Sequence, residues 1–244
     1  DAYTSLGGSQ YINSTATGRY MDYLCDEVVP FVDETYPTIA EPGARGLTGK
    51  SSGGYGAMVV PMKRPDVFNA LATHSGDALF EVCYVPDIRA AVRVLRDSFD
   101  GSFEVFWSRF RDTDNPDFAT FGDPLNIYCM AACYSPDEDD PGGVVLPFDP
   151  ATGRLVDEVW ERWLAWDPVR MVASHLDALS RMKLIYIEAG RSDEYYLDLG
   201  ATAFAKELEA HGIAHELELF DGKHGGLQYR YPGAIRRLAE ALAA

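Results

Sequence analysis

Gly49-Lys50-Ser51-Ser52-Gly53-Gly54-Tyr55-Gly56-Ala57 is the stretch on which the reading of this chain turns. It holds Gly-x-Ser-x-Gly at positions 49, 51 and 53, the pattern of a nucleophile elbow, with further small residues at 54, 56 and 57. Such an elbow passes from strand to helix so sharply that the serine backbone is strained, and a Cβ two residues to either side is expected to collide with the turn. The hydroxyl then stands clear of the sheet, and the next amide, that of Ser52, points to where an oxyanion would form. A plain turn or a phosphate loop would use similar letters. The first glycine of a P-loop would fall at position 44, however, and that residue is Ala.

The flanking sequence suits a strand–turn–helix unit. Ala44 to Thr48, bounded by Pro42-Gly43, is short and extended in character, and the residues from Tyr55 to Met62 carry Met58, Val59 and Met62 at helical spacing before Pro65. Met182 to Ala189 is apolar through its middle, as a strand covered on both faces should be. Leu199 to Ala210, stopped by Gly212, reads as a helix, and Glu216-Leu217-Glu218-Leu219-Phe220 alternates as a strand. The expected class is α/β, a mostly parallel sheet with helices on both faces.

A serine nucleophile needs a base and an orienting acid, which on this architecture follow in the order Ser, Asp or Glu, His. His211, His215 and His224 lie in the right part of the chain. His211 ends the predicted helix, where a cation suits the dipole, and His215 alternates with the last strand. His224 stands in the glycine-rich run 220–226 after that strand, a loop able to swing its ring over the sheet. The acid is read as Asp193, in Gly190-Arg191-Ser192-Asp193-Glu194 at the carboxyl end of the apolar strand, where chemistry gathers in open α/β sheets. Glu194, Asp221 and Asp77 are the rivals.

Taken together, Gly7 to Ser14, Gly49 to Ala57, His74-Ser75-Gly76-Asp77, Gly190 to Asp193 and Asp221 to His224 resemble, in order and spacing, the putative esterase family of α/β-hydrolases. That family includes esterase D (S-formylglutathione hydrolase), feruloyl and enterochelin esterases and the antigen 85 mycolyltransferases. The resemblance spans most of the chain except roughly residues 85 to 170. It implies a serine esterase with Ser51, Asp193 and His224 as catalytic triad, the Ser52 amide as oxyanion donor, a small-molecule ester or thioester as substrate, and no cofactor. Gln10, Tyr11 and Asn13, in the segment resembling the family's loop near the active site, would contact substrate. An acyltransferase of the same family, or a catalytically silent binding module that kept the fold, are the alternatives.

One departure from the family is visible. About four strands and an oxyanion-contributing loop precede the elbow strand in that fold, whereas 48 residues precede Gly49 here. They hold little beyond one amphipathic helix, about Thr17 to Val32, with Tyr20, Leu24, Val28 and Phe31 on one stripe. The expectation is a single hydrolase domain over 1–244, N-terminally incomplete, whose elbow strand pairs beside Leu47 with the remainder of the domain or a second polypeptide. A bare parallel edge would otherwise invite association. Within the domain, residues 85–170 read as a helical, aromatic-rich insertion or cap. Its rings, Trp107 and Phe121 among them, either pack as core or line an acyl pocket.

Composition bounds the rest. A hydrophobic fraction of 47% and a charged fraction of 24% suit a globular domain of 244 residues. A net charge of −17 argues against nucleic acid or an anionic membrane as partner. No apolar stretch is long enough to span a bilayer. Cys25, Cys83, Cys129 and Cys133 make no disulfide framework, and the pair four residues apart lacks the His or Cys partners of a metal site. Buried, reduced thiols in a cytoplasmic protein are expected, and a homo-oligomer is left open.

Overall fold

The structure, a computed structural model, describes residues 2–140 and 142–243. Close contacts divide the chain into two compact units. One gathers the residues up to Ser9 with Ser14–Gly18 and Tyr84–Ala165; the other gathers Gln10–Asn13, Arg19–Cys83 and the residues from Trp166 onward.

The second unit is built on a four-stranded sheet of β1 (Gly46–Lys50), β2 (Ala70–His74), β3 (Leu184–Gly190) and β4 (Glu216–Phe220), in that spatial order. All neighbours run parallel, with Lys50 beside His74, His74 beside Glu188 and Glu188 beside Glu218. Every residue of β2 and all but the first of β3 are buried, which is why the β3 segment is apolar through its middle. The outer strands β1 and β4 are partly exposed.

Side chains alternate across the sheet. Ala70, Ala72, Leu184 and Tyr186 meet Ala234, Leu238 and Leu242 of the helix Tyr231–Ala243. Thr73 points the other way and donates its hydroxyl to the Gly54 carbonyl (3.0 Å) in the helix Ser52–Lys63. Helices therefore lie on both faces of an α/β sheet.

Two boundaries differ from expectation. Residues Pro42–Ala44 wind into a short 3₁₀ turn, so the elbow strand starts at Gly46 and runs to Lys50. The expected N-terminal amphipathic helix forms as three consecutive segments, Tyr20–Asp22, a π-helical Tyr23–Val28, and Val29–Thr35. The wider π turns rotate later residues out of the 3.6-residue phase. Met21 and Cys25 are buried, while Phe31, which lies beyond the π turns and was expected on the apolar stripe, is 62% exposed.

The first unit contains helices Phe103–Asp112, Phe118–Tyr134 and Asp157–Leu164. Its aromatic rings pack on one another. Phe99 meets Phe106 edge-on at 5.3 Å and Phe121 at 5.5 Å, and Trp107 stacks on Tyr128 at 4.6 Å. Trp163 is fully buried, and its indole N–H donates to Ser135 Oγ (2.8 Å), which satisfies the one polar atom of that ring.

Replacing Trp163 by Phe removes both buried volume and that donor. Trp163→Phe is expected to lower stability by about 1–3 kcal/mol. Urea unfolding followed by circular dichroism measures it; an unchanged midpoint would show that the ring's burial and hydrogen bond contribute nothing.

Candidate active site

The elbow is formed by backbone first. Ser51 has φ 57° and ψ −126°, a conformation that costs a non-glycine residue about 1–3 kcal/mol. It is held by the Ser51 N–H donating to the His74 carbonyl at the end of β2 (3.0 Å), and by the Tyr55 N–H donating to the Ser51 carbonyl (2.8 Å). The turn is tight on one flank only. A Cβ on Gly49 would lie 2.3 Å from the Gly53 carbonyl oxygen, whereas a Cβ on Gly53 would meet nothing within 4 Å. The expectation that both flanks exclude a Cβ is thus corrected. Gly49 is the residue the turn forbids to change, because its Cα passes against the Gly53 backbone.

Two other loops reach the same end of the sheet. The loop after β3 carries Asp193, whose side chain is fully buried and whose Oδ1 accepts the Tyr195 N–H (3.0 Å). The loop after β4 carries His224. These loops are laced together: Arg191 N–H donates to the Phe220 carbonyl (2.9 Å) and Ser192 N–H to the Gly222 carbonyl (2.9 Å). That approach needs a glycine, since a Cβ on Gly190 would come within 2.6 Å of the Gly222 oxygen.

The imidazole of His224 spans the two remaining groups. Nδ1 lies 2.9 Å from Asp193 Oδ2 and Nε2 lies 3.1 Å from Ser51 Oγ. With the proton on Nδ1, that N–H donates to the carboxylate and the serine hydroxyl donates to Nε2, so every atom in the chain is satisfied. The ring is further steadied by the Tyr195 ring, edge-on at 4.9 Å. The rivals are occupied elsewhere. Glu194 Oε2 accepts the backbone N–H of His224 (3.0 Å), Asp77 Oδ2 accepts from Gln10 Nε2 (2.9 Å), His211 faces Glu207 (3.4 Å), and His215 Nδ1 lies 2.9 Å from the Ile213 carbonyl.

Ser52 begins the helix Ser52–Lys63, and a first-turn amide has no partner within its own helix. Such an amide, at the positive end of the helix, is suited to an anionic oxygen. Gln10 and Tyr11 both have positive φ, 51° and 56°. Gln10 is buried against Asp77, and the Tyr11 ring lies where a Cβ on Gly56 would come within 2.8 Å. Asn13 is engaged with the chain that follows it, where its Oδ1 accepts the N–H groups of Met21 (3.1 Å) and Asp22 (3.2 Å). Lys50 lines an open cleft of about 280 Å³ with Tyr11, Leu24, Leu47 and Gly53, and burial lowers its ammonium pKa despite the carboxylates of Asp193, Asp77 and Glu194. Sequence reasoning quoted His74 without giving it a role and passed over Glu188 and Arg230, its neighbours in a buried network. The signal for them was Glu188, a charged residue inside an apolar strand.

Residues 10–231 match the profile of the family described as "Putative esterase". An 81-residue stretch is 28% identical to "Uncharacterized protein YbbA" of Bacillus subtilis (strain 168), covering 33% of this chain and 30% of that protein. The match thus spans under a third of that relative's length. Among solved structures, a ferulic acid esterase is similar at TM-score 0.55 and 16% identity, over 100% of this chain and 67% of that one. FphF, a fluorophosphonate-binding serine hydrolase of Staphylococcus aureus, is similar at TM-score 0.55 and 17% identity, over 96% of this chain and 68% of that one. At these identities the likeness is one of α/β-hydrolase fold.

The Glu194 carboxyl is drawn down to about 2, chiefly by the His224 N–H it accepts, with Lys223 adding a smaller pull. Its folded pKa lies below its unfolded value of about 4.3, so its stabilisation is complete above that value and lost as pH falls toward 2. Wild type should therefore exceed Glu194→Gln in urea midpoint at pH 6, with the gap closing between about pH 4.5 and 2. A gap that stays constant over that window would mean the carboxylate does not hold the loop.

Proposed function

The chain belongs to the putative esterase family, and we propose that it hydrolyses carboxylic esters or thioesters by two-step acyl transfer, with Ser51, His224 and Asp193 as its catalytic triad. The observation that carries this reading is the unbroken hydrogen-bonded chain from Ser51 Oγ through the His224 ring to Asp193, at 3.1 and 2.9 Å.

Ser51 Oγ attacks the ester carbonyl carbon while His224 Nε2 takes its proton. Asp193 keeps the ring in the Nδ1–H tautomer and stabilises the imidazolium. Negative charge gathers on the former carbonyl oxygen, which the Ser52 N–H and a second donor receive. The tetrahedral intermediate collapses, the C–O or C–S bond breaks, and His224 returns its proton to the leaving alcohol or thiol. Water, deprotonated by His224, then attacks the acyl-enzyme, and the acid is released with Ser51 reprotonated. Gln10 and Tyr11 bound the substrate on the side of the elbow helix.

The 1–244 chain acts as one hydrolase domain with 85–170 as its insertion. A further polypeptide segment completes the sheet beside β1, which among the described residues pairs on one side only, with β2. That segment is the source of the second oxyanion donor. Four free, buried cysteines support a cytoplasmic setting.

Ser51→Ala should lower kcat for p-nitrophenyl acetate by about 10⁴-fold or more while leaving the circular dichroism spectrum intact. A surviving acyl-enzyme burst would assign the nucleophile elsewhere. For the open edge, sedimentation velocity of the 244-residue chain alone should report association. A monodisperse monomer with full activity would show that β1 needs no partner.

A further inference from the structure

A single carboxylate lies beneath all three loops of the site. Glu188 is 1% exposed, two residues before the end of β3, on the same sheet face as its register neighbours His74 and Glu218. Its Oε1 accepts from His74 Nδ1 (2.6 Å), and its Oε2 accepts from the Tyr186 hydroxyl (2.6 Å) and Arg230 Nε (2.8 Å). The other nitrogen of His74 faces Thr48 Oγ1 of β1 (3.2 Å). Arg230 also pairs with Glu218 and lies over the Phe220 ring at 4.1 Å.

These contacts connect to the reacting groups by short routes. The backbone carbonyl of His74 receives the Ser51 N–H, and that of Glu188 receives the Ser75 N–H (2.8 Å). Phe220 and Arg230 stand at either end of the segment that carries His224, and the Glu188–Glu218–Arg230 cluster draws those ends together. Asp193 follows Glu188 on the same chain, its N–H donating to the carbonyl of Gly190, the last residue of β3 (3.1 Å).

A buried carboxylate is a poor choice for stability alone. Desolvating an ion costs several kcal/mol, and an aliphatic side chain such as the neighbouring Ile185 or Ile187 would fill a central strand without that cost. Here burial opposes the charge, yet the hydrogen bonds from His74, Tyr186 and Arg230 hold the Glu188 pKa below its ordinary value. The network is fully connected, the condition under which buried polar groups stiffen their surroundings.

We propose that Glu188 is a positioning residue that, through Arg230 on one side and His74 on the other, sets the separation between His224 Nε2 and Ser51 Oγ. The proposal rests on the triad reading given above. Its structural content, the placement of His224, can be measured without turnover.

The test compares wild type with Glu188→Gln and, as a second and more exposed perturbation, Arg230→Met and Arg230→Lys. With p-nitrophenyl acetate, Glu188→Gln should lose about 10- to 100-fold in kcat with KM within about twofold, as expected for a small misplacement of reacting groups. The rate of fluorophosphonate labelling at Ser51 should fall in parallel. Arg230→Met should behave likewise, and Arg230→Lys should recover part of the loss, since an ammonium keeps the charge but not the two-pronged geometry. Solvent exchange of the His224 Nδ1–H, followed by proton NMR, should quicken in Glu188→Gln and Arg230→Met. Wild-type kcat in both variants, or a kcat loss that only tracks a lowered melting temperature and disappears on cooling, would overturn the proposal. If wild type itself neither hydrolyses ester nor takes the label, the esterase reading falls. In that case an unchanged Nδ1–H exchange rate across the variants sinks the positioning role separately.

Discussion

The strained backbone of Ser51 is the constraint to which the rest of the second unit answers. A φ of 57° with ψ −126° is a place no serine occupies without compulsion. The compulsion comes from three directions: the parallel pairing of β1 with β2, the N–H of Ser51 donating to the His74 carbonyl, and the elbow helix starting at the very next residue. Gly49 has no freedom in this arrangement, since the Gly53 backbone occupies the volume any side chain would need. Remove the β2 partner, the glycine or the helix start, and the turn can relax toward ordinary geometry, taking the hydroxyl with it.

Convergence at one end of the sheet follows from parallel topology. Each of β1, β2, β3 and β4 delivers its following loop to the same edge, so residues 51, 193 and 224 can meet although 173 positions separate the first from the last. Parallel strands supply that meeting, and backbone contacts between the loops hold it. The loops after β3 and β4 share backbone hydrogen bonds, and the approach of Gly190 to Gly222 leaves no room for a side chain between them. The charges of a strongly acidic chain are also arranged with care at this edge. Asp193 is committed to His224, Glu194 to the same residue's backbone and to Lys223, and Glu188 to three donors beneath.

Much of this was legible in the chain itself. Gly49-x-Ser51-x-Gly53 pointed to a sharp strand-to-helix turn because an extended segment precedes it and a helical spacing follows it. The apolar middle of 184–190 declared a strand buried on both faces, and the alternation of 216–220 a strand. His224 stood out from His211 and His215 by its loop context, and Asp193 by its place after a buried strand. The N-terminal helix was legible as a helix but not in its phase, because a π-helical segment leaves no mark in the spacing of apolar residues. Asn13 illustrates the same limit. Its side chain serves the amides of Met21 and Asp22, a partnership set by the path of the chain between them.

What the sequence by itself determined was local: which segments bend, which bury both faces, which residue types could trade a proton. Those properties depend on neighbours a few positions away, through sterics and periodicity. What only the tertiary structure decided was which of several equivalent groups meet. Asp193 rather than Glu194 faces the His224 ring, Gly49 rather than Gly53 is sterically confined, and Glu188 finds His74, Tyr186 and Arg230. The contacts of Asp193 with His224 and of Glu188 with His74 and Arg230 rest on distances of 2.6 to 2.9 Å between residues up to 114 positions apart, and such distances are set by strand register and loop path once the sheet has formed.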